Sequence, residues 1–133
     1  MLTEMTEQSA DNVYPGAAQS VRYNRHVAVV RTTRTIDRWL KGLKDEKARV
    51  RILLRLDRLA HGNPGQVAPI GNGLSELKIN SGPGYRIYFL QSGSELIVLL
   101  CGGDKSTQGK DIAAAKKLAD TWKLDQRKEG GHD

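Results

Sequence analysis

The order of hydrophobic periods along this chain predicts an α+β fold built as strand, helix, helix, three strands, helix. Three observations carry that prediction. A short β-branched run at residues 26–30 is followed by apolar spacings of about 3.6 residues up to residue 61. Beyond a loop rich in Gly and Pro at 62–73, the spacing switches to 2. From about residue 107 the helical period returns, in a segment able to cover a sheet.

His26-Val27-Ala28-Val29-Val30 reads as a first, buried strand. Thr35 precedes Ile36, Trp39, Leu40 and Leu43, apolar at i, i+3, i+4 and i+7, so a short helix begins there with Thr35 as candidate N-cap. A second helix is expected from about Asp45 to His61, with Ile52, Leu53, Leu56 and Leu59 on its buried side. Gly62-Asn63-Pro64-Gly65 ends it. Leu77 and Ile79 alternate with Glu76 and Lys78, while Tyr85, Ile87 and Phe89 alternate with Arg86 and Tyr88. Leu96 to Cys101 is apolar on both faces, as an interior strand would be. Ser81-Gly82-Pro83-Gly84 and Ser92-Gly93-Ser94 are turns of hairpin length, so the three strands form an antiparallel meander. Ile112, Ala115, Leu118, Ala119 and Trp122 then share one face of a helix from about Thr107 to Lys123. Residues 1–24 form a polar extension without sustained periodicity, 25–124 the domain, and 125–133 a polar tail. Removal of the extension is expected to leave folding nearly intact.

With 133 residues the chain fits one domain and one core. The longest apolar run, Leu96 to Cys101, is far below the roughly 20 residues that cross a bilayer. The first 25 residues hold no apolar run beside a positive start, so a secretory signal is not supported and a cytoplasmic protein with no membrane partner is expected. One cysteine, Cys101, can form neither an internal disulfide nor a zinc site, and its apolar setting marks it as a buried structural thiol. His26, His61 and His132 stand at a strand start, a helix end and the tail, which is no metal or acid–base set. Neither a metal nor a cofactor is implied, and no Ser-His-Asp or Cys-His set stands out. Lys105-Ser106-Thr107 lacks the first glycine and the spacing of a phosphate-binding P-loop.

Lys and Arg outnumber Asp and Glu by 21 to 15, and the excess is local. Residues 34–58 hold nine basic and four acidic side chains, whereas residues 1–24 hold one and three. Such a segment suits a polyanion or an acidic protein partner, and equally a solvated helix face. Lys47, Arg51, Arg55 and Arg58, at i, i+4, i+8 and i+11, form one stripe along which RNA phosphates could lie. If the polar faces of the first hairpin coincide, Glu76, Lys78, Arg86 and Tyr88 project from one side. Two cations beside a phenol suit phosphate, and cross-strand ion pairing on a solvated face is the alternative. Lys105, just after the last strand, is within reach of the same rim.

Trp39-Leu40, the Arg-rich second helix closing at His61-Gly62-Asn63, SELKI, GPGYRIYF and LLCGGDKSTQ together resemble the addiction-module killer proteins of the RelE/ParE superfamily. The likeness is to the phage-derived Gp49-like branch near HigB, over about residues 27–122. That resemblance implies a curved antiparallel sheet flanked by helices, a cognate antitoxin of helix-turn-helix type, and cleavage of mRNA on the ribosome. Ribonucleases of the group need no metal: the ribose 2′-OH attacks the adjacent phosphate, which calls for a base, an acid and charge stabilisation. The matching catalytic positions are Lys78, Arg86 and Lys105. Arg86 would stabilise the phosphorane and Lys78 would bind phosphate or act as base. Where several relatives carry Tyr or His after the last strand, this chain has Asp104 and Lys105, so Tyr85 or Tyr88 would have to supply stacking or the acid. Two further roles stay open: a non-enzymatic toxin that binds a protein such as DNA gyrase, and an inactive antitoxin-bound co-repressor.

Overall fold

A computed structural model describes residues 26–130; the extension at 1–24 and His132 lie outside the described residues. The elements are β1 (Val29–Thr32), α1 (Arg34–Gly42), α2 (Glu46–Ala60), β2 (Val67–Gly71), β3 (Leu74–Ile79), β4 (Tyr85–Ser92) and β5 (Leu96–Asp104). A 3-10 turn (Lys105–Thr107) then leads into α3 (Gln108–Gly130). The strands form one five-stranded sheet in the order β1-β5-β4-β3-β2. The α+β class is as expected. The sheet, however, is mixed rather than wholly antiparallel, because β1 runs parallel to β5 while the other neighbours are antiparallel.

Strand β2 is the element that periodicity missed. Pro69 and the flanking Gly65, Gly71 and Gly73 read as a loop, yet an edge strand leaves one row of backbone N–H groups without a ladder partner and so accommodates proline. Asn72 and Gly73, with φ of 58° and 76°, form the two-residue turn into β3 that a hairpin twist favours. The first strand begins later than expected and runs on to Thr32. Consequently Thr33, not Thr35, caps α1: its hydroxyl accepts from the Ile36 N–H at 3.1 Å and donates to the Leu100 carbonyl at 2.6 Å. Asp45 caps α2 by accepting from the Ala48 N–H at 3.1 Å. Helix α3 continues past Lys123, where the apolar stripe ends, to Gly130.

Both faces of the sheet are covered. Val30, Leu77, Ile79, Ile87, Phe89, Ile97 and Leu99 pack under α1 and α2 against Ile36, Ile52, Leu56 and Leu59. On the opposite face Leu74, Tyr88, Leu90, Val98, Leu100 and Cys101 meet Ala115 and Ala119 of α3. Leu53, expected among the buried residues of α2, is 42% exposed. One residue is 100° of helix turn, so Leu53 stands off the buried row Ala48, Ile52, Leu56 and Leu59.

Strand β5 carries a bulge: Tyr88 pairs with Cys101 but Phe89 with Leu99. The extra residue puts Leu100 and Cys101 on the same face and reverses the alternation beyond them. Gly102 therefore faces α1 and Gly103 faces α3. A Cβ on Gly102 would lie 2.5 Å from the Trp39 ring, itself held edge-on to Tyr85 with centroids 5.9 Å apart. Gly102→Ala should lower unfolding stability by about 1–3 kcal/mol through overpacking against the indole. Urea melts of the two proteins would read this directly, and equal midpoints would mean that Trp39 moves aside freely.

Candidate functional site

The register of β3 and β4 sets Glu76 opposite Tyr88 and Lys78 opposite Arg86, so the four side chains share one face of the sheet. Their common side was legible in the sequence. Their environment was not, because the start of α3 covers that face. Glu76 is 3% exposed and Tyr88 is fully buried. Arg86 Nη1 donates to Glu76 Oε2 at 3.1 Å, and Gln108 Nε2, from the first residue of α3, donates to Oε1 at 2.9 Å and Oε2 at 3.3 Å. Lys78 Nζ stands 3.9 Å from Oε2, and its side chain is more open than that of Arg86.

Two expectations change here. The cross-strand ion pair weighed as the alternative is present, but buried instead of on a solvated face: Arg86 is a mostly buried partner of Glu76, and its Nε lacks a hydrogen-bond partner. Tyr88 is core: no base can stack on it, its hydroxyl is buried without a partner, and burial, aided by Glu76 and Asp111, pushes its phenol far above the ordinary value. Tyr85 lies on the other face, half-buried beside Trp39.

Arg86 and Lys105 nevertheless line one open hollow of about 480 Å³ with Asn80 and the turn Ser81–Gly84. Gly84, at φ 84°, passes close to Lys105: a Cβ there would touch the lysine Cβ at 3.6 Å. Lys105 is exposed, while its neighbour Asp104 caps the turn by accepting from the Ser106 N–H at 2.8 Å. Hydrogen bonds from the Ser106 hydroxyl, then from its backbone, hold the Asp104 carboxyl below the usual range, so it is ionised at neutral pH and is no proton donor.

Asn80 also borders a second hollow, of about 280 Å³, with Arg51, Leu54, Arg55, Arg58 and Ile79. The two hollows share Asn80, just past the end of β3, so the basic stripe of α2 and the Arg86–Lys105 pair border neighbouring hollows that meet there. Its members differ in freedom. Arg55 is a staple, donating to the Lys78 carbonyl at 2.8 Å and the Pro64 carbonyl at 3.0 Å; burial, then Arg58, lowers its pKa. Arg51 reaches the Asn80 carbonyl at 3.4 Å. Lys47, exposed in the first turn of α2, borders neither hollow.

Gln108 was missed although a signal existed. At i, i+4, i+7 and i+11 it shares a helical face with Ile112, Ala115 and Ala119, and a polar residue on an apolar face marks a buried polar partner. His26 and His61 sit beside Glu95 and Asp57 respectively. Among the described residues no group of three or more His, Cys, Asp or Glu is placed to hold a metal ion, and no helix is long and apolar enough to cross a membrane.

Residues 38–123 match the family described as Phage derived protein Gp49-like (DUF891), and the chain belongs to it. An uncharacterized protein of Haemophilus influenzae is 48% identical over 90 residues, covering 68% of this chain and 91% of its own. No solved structure matches the chain.

Arg86→Ala should cost about 3–5 kcal/mol of stability, because it strands the Glu76 carboxylate in the interior. Chemical denaturation of Arg86→Ala and of Arg86→Ala with Glu76→Leu checks this, since the double variant should recover part of the loss. Burial also pushes the Cys101 thiol from 9.0 up to about 12. A folded value above the unfolded one favours the folded state fully below pH 9 and lets that contribution fade as pH rises towards 12. The stability gap between wild type and Cys101→Ala should therefore narrow across that window. A gap that widens with pH would reverse the sign.

Proposed function

We propose that this protein is the toxin of a type II toxin–antitoxin pair, a RelE/ParE superfamily member of HigB-like type. It acts as a metal-independent, ribosome-dependent mRNA endoribonuclease. Membership of the Gp49-like family, a toxin-like family of toxin–antitoxin systems, supports the toxin reading. The observation that carries the chemistry is the hollow that Arg86 and Lys105 both line, which meets at Asn80 a second hollow lined by Arg51 and Arg58.

In this reading the RNA backbone runs across the end of β3, with Arg51 and Arg58 neutralising flanking phosphates. The scissile phosphate sits in the hollow under the β3–β4 turn. The ribose 2′-OH attacks phosphorus, the bond to the 5′ oxygen breaks, and a cyclic phosphate and a 5′-hydroxyl result. Arg86 and Lys105 stabilise the charge that accumulates on the non-bridging oxygens. Lys78 lines neither hollow but stands beside the ion pair, more open to solvent; in this reading it binds phosphate or takes the 2′-OH proton, and the departing 5′ oxygen takes its proton from water or a group of the ribosome. Neither Asp104 nor Tyr88 serves as acid, for the reasons of charge and burial given above, and the ribosome is the partner that completes the site. A cognate antitoxin, of helix-turn-helix type, covers the same basic surface through an acidic or amphipathic segment.

A protein-binding role of the gyrase-directed kind has one observation in its favour. Val50, Leu53 and Leu54 of α2 are 56%, 42% and 54% exposed, an apolar ridge beside the arginine stripe.

Lys105→Ala separates the two readings better than any change at Arg86, because Lys105 is exposed and its loss should leave stability within about 0.5 kcal/mol. Removing one preorganised charge from a phosphoryl transition state costs roughly 10² to 10³ in rate. Primer extension on cellular mRNA after induction should show new cuts within translated codons for wild type and hardly any for Lys105→Ala. Growth arrest without cuts in wild type, with Lys105→Ala equally toxic, would transfer the assignment to the protein-binding role.

A further inference from the structure

Gln108 lies outside every role assigned so far, yet it makes two of the three hydrogen bonds to the most buried charge of the described residues. Its Nε2 bridges both oxygens of Glu76, at 2.9 and 3.3 Å, and so fixes the rotation of the carboxylate. That rotation matters because two cations compete for Oε2. Arg86 Nη1 holds it at 3.1 Å, and Lys78 Nζ waits at 3.9 Å with 41% of its side chain exposed. A carboxylate free to turn would divide its contacts between Arg86 and Lys78, and the guanidinium would lose its one fixed partner orientation. Arg86 has no second anchor, since its Nε is buried without a partner. Yet Arg86 lines the hairpin hollow and Glu76 does not.

We propose that Gln108 and Glu76 are positioning residues for Arg86. Gln108 locks the Glu76 carboxylate, and Glu76 takes one amino group of Arg86 so that the other amino group is held towards an anionic oxygen in the hollow. The chemical class of ligand is a phosphodiester, and in that respect the inference rests on the ribonuclease reading. The positioning itself does not. A cation held in one orientation before the substrate arrives loses little freedom on binding it, which is how the residues behind it contribute to rate. Gln108 is suited to the part because it opens α3 directly after the Asp104-capped turn that carries Lys105, so both cations of the hollow are referred to the same helix start.

The experiment uses the full chain labelled with ¹⁵N and follows the Arg86 Nε–H signal, assigned by its disappearance in Arg86→Lys. Gln108→Met keeps length and helix preference but removes the donor. Solvent exchange of the Arg86 Nε–H should speed up by roughly tenfold or more in Gln108→Met, with sheet amides unchanged. Equal exchange in wild type and Gln108→Met overturns the proposal. In the mRNA cleavage assay Gln108→Met should lower kcat by about tenfold with KM within about twofold. A faster exchange together with an unaltered kcat overturns the functional half of the proposal. If wild type cuts no RNA while the exchange rates behave as stated, the positioning stands and the ribonuclease reading falls.

Discussion

Strand β5 is apolar on both faces, and that one constraint organises the rest of the molecule. A sheet with Ile97 and Leu99 on one side and Val98 and Leu100 on the other has no face it can leave to water. Two helices close one side and the third closes the other. Since the helices meet the sheet over its interior, polar chemistry is confined to the end of the sheet where the covers stop, at the turn between β3 and β4. The bulge in β5 acts at that same end. By reversing the alternation it presents Gly102 and Gly103, residues without side chains, to Trp39 and Asp111, so that α1 and the start of α3 approach the strand closely. Lys105 is delivered to the hollow by this approach.

The charged groups at the boundary follow from it. A carboxylate on the inward side of β3 would be untenable alone, so Glu76 draws Arg86 across the strand pair and Gln108 down from the helix. The same arginine that pairs the interior carboxylate borders the open hollow. Its side chain therefore serves the fold as well as the hollow, and no substitution there changes the charge of the hollow alone. The surface cations Lys105, Arg51 and Arg58 are different in kind, being answerable mainly to whatever anion lies outside.

Much of this was legible in the sequence wherever a side chain's face decides its fate. The period switch after residue 73 located β3 and β4, and alternation put Glu76, Lys78, Arg86 and Tyr88 on one side. The apolar spacings of all three helices matched their buried rows, apart from Leu53. What alternation cannot reveal is whether the polar side is wet. A strand with Glu, Lys, Arg and Tyr on one face looks solvated, and only the placement of α3 above it converts Tyr88 into core and Arg86 into an interior counter-ion. The sheet's fifth strand escaped because Pro69 and its glycines suppress the hydrophobic period, although Asn72-Gly73 was a hairpin signal in plain view. The parallel pairing of β1 was hidden for another reason: it is a contact between segments far apart, which no local pattern encodes.

That pairing sets an order on synthesis. Val29 is opposite Leu96, and the Thr33 hydroxyl reaches a carbonyl 67 residues further along the chain. During translation the amino-terminal strand has emerged and waits while both helices and three more strands are made. It finds its neighbour only when β5 leaves the ribosome, and the helix that carries Gln108 follows later still. Closing so long a loop is paid for by contacts made last, so the nascent chain has neither a complete sheet nor an assembled hollow until β5 and α3 have both been made.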